Sequence, residues 1–153
     1  MVHDHPTSLY LYCLTVIFSA VFPIKGFTEP VNKFSEKDAV SIVQHQIDAY
    51  NAHDFEQFIA PYSSSIVLRD IHGRVLVSGL DELKARYEKR FDQTLYPNQH
   101  VDILNRMVLG NFIIDREHVT GLPGNEPVEA IAIYEVKDGY IQQAWFISPK
   151  LPE

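Results

Sequence analysis

The sequence is poor in the residues that build cross-links and metal cages. It has one cysteine, Cys13, which excludes an internal disulfide framework and a thiolate zinc site. Its seven histidines are scattered and none forms an HxxxH or HExxH spacing, so no metal site is read from them. Basic residues are also in the minority. Thirteen Lys and Arg stand against twenty Asp and Glu, a net charge of −7, and no block of five like charges occurs. Phosphate binding needs clustered positive charge, and a nucleic-acid partner is therefore excluded. Internal repeats, low-complexity stretches and inter-domain linkers are missing too. What is there is ordinary for a folded chain: 46% hydrophobic and 22% charged residues over a length of 153, which implies one domain with a core. The composition leaves a soluble acidic domain that acts on something small and uncharged.

The amino-terminal stretch stands apart. Residues 9–24 (LYLYCLTVIFSAVFPI) form a run without charge. As a helix it would span roughly 24 Å, short of the roughly 30 Å hydrocarbon core, which suits the apolar centre of an export signal better than a membrane span. The preceding MVHDHPTS has no Lys or Arg, and no clean A-x-A cleavage pattern follows. Three readings stay open for residues 1–26: a cleaved signal that sends the protein to the periplasm or outside, an uncleaved membrane anchor, or an extension of a cytoplasmic protein. The folded domain is placed at residues 27–153.

Ser35 with Asp38 forms a capping-box pattern, and Ala39, Val43, Ile47 and Tyr50 then recur at helical spacing. The helix breaks at Asn51. Asp54 with Gln57 opens a short second helix that Pro61 helps to end. Residues 65–70 are β-rich, 71–73 supply a turn, and 75–77 form a second short strand. A third helix follows with Leu80, Leu83, Tyr87 and Phe91 on one stripe, acids early and bases late. Residues 101–109, 111–120, 128–136 and 140–147 read as four strands with tight turns, hence antiparallel. The expected fold is α+β: a cone-shaped, curved antiparallel sheet packed against three helices. Helices too few to fill the curve leave a cavity suited to a small molecule.

That order, together with SIVQHQIDAYNAHDFEQFIAPYSSSIVLRDIHG, resembles the nuclear transport factor 2-like superfamily over residues 36–148, in particular its SnoaL-like and ketosteroid-isomerase-like branch. The strongest local likeness is the AYNAHD helix break before a short helix and a strand ending in Asp70. LNRMVLGNFIIDREHVTG is similar to the strand pair of small members. In the steroid isomerases of this branch an Asp at the end of the first strand shuttles the proton, and a Tyr with a protonated Asp holds the oxyanion. The resemblance places the base on Asp70, while the family Tyr falls on Gln46 and the protonated Asp on Ile133. The base position is kept and both acid positions are replaced. A cofactor-free isomerase or cyclase acting on a hydrophobic carbonyl compound is what the resemblance implies.

Asp70 stands as the catalytic candidate beside its simpler role of closing a turn. Gln46, Tyr50 and Tyr87 lie on helix stripes facing the sheet and are expected to bind the ligand or to be satisfied within the core. Trp145, sharing a strand face with Ile141, Gln143 and Ile147, is placed in the cavity in preference to Phe146. His72, His100 and His118 are read as solvated or locally bonded. The alternating run 115–118 is read as a solvent-facing or interface side, with Arg106 pairing to Asp115 or Glu117 across the Gly110 hairpin. Besides the enzyme, two other functions fit: a non-catalytic module for a small apolar ligand, and a dimeric interaction domain. Apolar residues on both faces of the last two strands favour a homodimer under each of them.

Overall fold

The computed structural model describes residues 35–122, 124 and 126–149. The run read as an export signal or anchor, with Cys13, lies outside them. Ser35 opens helix α1 (Glu36–Asn51) through the expected reciprocal cap: its hydroxyl accepts from the Asp38 amide at 3.2 Å, and the Asp38 carboxylate accepts from the Ser35 amide at 3.0 Å. The chain turns at His53 in the left-handed region, φ +56°. Asp54 then caps α2 (Phe55–Ile59) by accepting from the Gln57 amide at 3.0 Å. Strand β1 (Tyr62–Asp70) starts before the expected position, because the serines at its head hide it from a hydrophobic pattern. A turn leads to β2 (Val75–Ser78). Helix α3 (Leu80–Tyr87) ends in a 3-10 turn, Glu88–Phe91. Strands β3 (His100–Leu109), β4 (Phe112–Thr120), β5 (Val128–Lys137) and β6 (Tyr140–Ile147) complete the order.

The six strands form one curved, unclosed sheet in the order β2-β1-β6-β5-β4-β3. Neighbours run antiparallel except β1 and β6, which pair in parallel. Helix α1 packs on the β3–β6 half and α3 on β1 and β2. The core lies on that covered side. There Val43 and Ile47 of α1 meet Ile113, Ala132 and Val136 of the sheet, all buried. Among the described residues no helix is long and apolar enough to cross a membrane.

One irregularity decides which side chains face inward. The β5–β6 register passes from Glu135–Gln143 to Val136–Ile141, leaving Gln142 as an extra residue. Such a bulge reverses the face that each later side chain takes. Ile141, Ala144 and Phe146 therefore point to the core, and Trp145 turns outward beside Ile133 and Arg69.

Candidate functional site

The space between helices and sheet is not filled. A cavity of about 120 Å³ remains, with Gln46 and Tyr50 of α1, Tyr62 of β1, Tyr87 of α3, Glu117 of β4 and Tyr134 of β5 in its wall. Helical spacing puts Gln46 and Tyr50 on one face, four residues apart. Strand alternation puts Glu117 inside along with Ile113 and Asp115. Phe58 tightens the aromatic end, its ring 5.0 Å from that of Tyr87 and 5.6 Å from that of Tyr62.

Four polar groups of the wall form a single chain in which every donor points the same way. The Tyr62 hydroxyl donates to Gln46 Oε1 at 3.2 Å. Gln46 Nε2 donates to the Tyr134 hydroxyl oxygen at 3.2 Å. Tyr134 in turn donates to Glu117 Oε1 at 3.0 Å. The chain thus ends on a carboxyl that is only 6% exposed. Burial pushes the Glu117 pKa up to about 7; the neighbouring Asp115 charge adds to this, while the Tyr134 hydrogen bond and Arg106 oppose it. The tyrosines move away from neutrality. Burial raises Tyr50 to about 12 against the pull of Arg90, and it raises Tyr62, Tyr87 and Tyr134 as well. They are fixed donors, and Glu117 is the wall group able to change its protonation near pH 7.

Behind Glu117 sits an ion pair that the hairpin register dictates. Arg106 lies opposite Asp115. Its guanidinium grips that carboxylate with two bonds of 2.7 Å and also donates to Gln44 of α1 at 2.9 Å. This uses up Asp115 and Arg106, so Glu117 keeps no cationic partner of its own.

Asp70 has a different setting. It is not in the cavity wall, and its oxygens close the β1–β2 turn: Oδ1 accepts from the His72 amide at 3.0 Å and the Arg74 amide at 2.9 Å, and Oδ2 from Arg74 Nε at 2.9 Å. Burial works to raise its pKa, but the hydrogen bonds from Arg74 and His72 and the Arg74 charge outweigh it, and the net shift is downward. A carboxylate stabilised as the anion is a poor proton acceptor. The expected base is therefore placed as a turn residue.

Of the other expected site residues, Gln46, Tyr50 and Tyr87 are brought together in the wall. Trp145 is not, and Phe146 takes its place for the phase reason given above. Glu117, Tyr134 and Tyr62 were missed, as were Arg86 and Arg90, which also line the cavity. A signal for Glu117 exists in the sequence: Ile113, Asp115, Glu117 and Val119 share one strand face whose ends are apolar. The alternation read as a solvent-facing side thus carries two acids inward. Among the described residues no cluster of His, Cys, Asp and Glu is placed to hold a metal ion.

A cavity between a curved six-stranded sheet and its helices, with polar groups converging on one carboxyl, defines an α+β pocket protein of the nuclear transport factor 2-like type. The model of the SnoaL-like domain matches residues 43–144, and the chain belongs to that family. A cystatin-fold protein from Novosphingobium aromaticivorans is similar at 22% identity over 71% of this chain and 97% of that one, with a TM-score of 0.63. A provisionally assigned ketosteroid isomerase from Kribbella flavida is similar at 15% identity over 76% and 82%, TM-score 0.63. So is a provisionally assigned hydroxylase from Streptomyces galilaeus, at 15% over 74% and 90%, TM-score 0.63. No curated protein matches the chain.

Proposed function

We propose that the chain is a small-molecule enzyme of the isomerase or cyclase type in which Glu117, rather than Asp70, carries the proton. The observation that carries this is the buried carboxyl with a pKa of about 7, placed at the end of a chain of donors in a cavity wall. Near neutral pH such a group takes a proton from a carbon or hydroxyl next to a carbonyl and returns it, both forms being populated. Tyr62, Gln46 and Tyr134 hold Glu117 in place, and Tyr50 and Tyr87 offer hydroxyls that stay protonated toward a developing oxyanion. The isomerase description of the Kribbella flavida relative supports a proton-transfer class.

The test is the titration of Glu117 itself, followed through its carboxyl carbon by NMR in the full chain, with Glu117→Gln identifying the resonance. A midpoint near pH 7 is expected. A midpoint in the ordinary carboxylate range overturns the assignment, whatever ligand is bound.

A further inference from the structure

The protein is acidic overall, but its cavity is bordered by two bases. Arg86 and Arg90 stand one helical turn apart on α3 and the 3-10 turn that follows, and both line the cavity. Arg86 is exposed and Arg90 half-buried. The Arg90 guanidinium rests 5.5 Å from the centre of the Tyr87 ring, which holds it at the wall. Among the described residues neither arginine is held in a salt bridge. The charges that act on Glu117 are those of Asp115 and Arg106, so the arginine pair stands apart from the carboxyl. Much of the remaining wall is aromatic and aliphatic, with Tyr50, Phe58, Tyr87, Phe146 and Val101 in it.

Size narrows the occupant further. At about 120 Å³ the cavity is no larger than an engineered cavity of about 150 Å³ that takes benzene. The cavity has room for one ring, and a fused four-ring steroid would extend outside it. We infer that the cavity binds a monocyclic carboxylate, its acid group on Arg86 and Arg90, its ring between the aromatic walls and a hydroxyl or carbonyl oxygen at Glu117. This names the substrate class of the site and rests on the assignment of Glu117 as its reactive group. The two arginines give what an anion needs, fork-shaped donors in a wall whose other polar groups are a glutamine, tyrosine hydroxyls, a serine and one carboxyl. They also place two positive charges at the cavity of a molecule of net charge −7, which favours an anion there.

The experiment compares two probes on the full chain by isothermal calorimetry: 4-hydroxybenzoate, and p-cresol, which has a methyl group in place of the carboxylate. Wild type is expected to bind 4-hydroxybenzoate at least about tenfold more tightly than p-cresol, the value of one charge-assisted hydrogen-bond pair. In Arg86→Gln/Arg90→Gln that preference should vanish, with 4-hydroxybenzoate losing more affinity than p-cresol. Arg86→Gln alone, which alters only an exposed side chain, should lose part of it. Equal affinities in wild type, a preference that survives the double substitution, or no binding of either probe overturns the inference. The NMR midpoint of Glu117 is read on the ligand-free chain and does not depend on any of these affinities, so failure here and failure of the acid–base assignment are read separately.

Discussion

A carboxyl buried without a cation of its own destabilises a fold when it ionises, and Glu117 is such a group. Its pKa of about 7 in the folded protein lies above the 4.5 of the free side chain. The fold therefore prefers the protonated form. The stability tied to that preference is fully present below about pH 4.5 and is lost as pH rises through about 7. The shift corresponds to about 3 kcal/mol. Unfolding free energies of wild type and Glu117→Gln from denaturant curves, measured from about pH 4 to pH 8, should diverge by roughly this amount, with the variant the flatter of the two. A parallel pair of curves would mean that Glu117 ionises freely. Tyr134 allows a second check. Because its hydroxyl donates to Glu117 and favours the ionised form, Tyr134→Phe should raise the Glu117 midpoint further. The same change leaves Gln46 Nε2 without its acceptor, at a cost of about 1–3 kcal/mol. A lowered midpoint in that variant would reverse the assigned direction of the donor chain.

At the scale of elements, the ends of helices and turns fix where the wall residues stand. Asn51, the last residue of α1, donates from Nδ2 to the Val101 carbonyl at 2.9 Å and accepts the Val101 amide at 2.8 Å. That clamp joins α1 to the start of β3, and Val101 itself lines the cavity. Asn51→Ala strands both backbone groups and should lower stability by about 1–3 kcal/mol in chemical denaturation; a neutral result would place water as an adequate substitute. Asp70 supplies the contrasting case. Asp70→Asn can still accept both turn amides and should leave the Glu117 titration where it is, whereas Asp70→Ala should lower the melting temperature. A shift of Glu117 in the folded Asp70→Asn protein would return Asp70 to the site. Much of this level was legible beforehand. The Ser35 and Asp54 caps, the break at Asn51 and the spans of the last four strands follow from local chemistry, which a sequence states directly. What was not legible is phase. Strict alternation from Ile141 puts Trp145 inside, and a single bulged residue, Gln142, reverses it. In β4 both faces mix polar with apolar residues, and the apolar ends at Ile113 and Val119 are a weak cue that Glu117 and not Arg116 is the inward one.

The whole molecule adds what neither residues nor elements state: which strands become neighbours. The parallel pairing of β1 with β6 joins residues far apart in sequence and brings Tyr62 across from Ile141, on the same wall as Tyr134. No local pattern specifies that pairing, which is why the Tyr62–Gln46–Tyr134–Glu117 chain could not be read in advance. The same topology leaves the far face of the sheet without a cover among the described residues. Met107, Ile114, Ile133 and Trp145 lie in register across β3, β4, β5 and β6 on that face. Arg116 and Glu129 pair at 2.6 Å beside them. We propose that a second copy of the chain covers this face, the arrangement expected from the apolar last strands. The five strands of eight to ten residues present roughly 24 Å by 30 Å, on the order of 700 Å², near the ~800 Å² per partner of a standard interface. Adjacent charges of both signs let a two-fold arrangement set Arg116 against an acid of the other copy. Sedimentation of the full chain at micromolar concentration should give a dimer. Met107→Glu/Ile131→Glu alters two exposed side chains and should give a folded monomer. A monomeric wild type, or a double variant that stays dimeric, excludes this face as the contact. In either case the cavity keeps its geometry, because every residue of the donor chain comes from one copy.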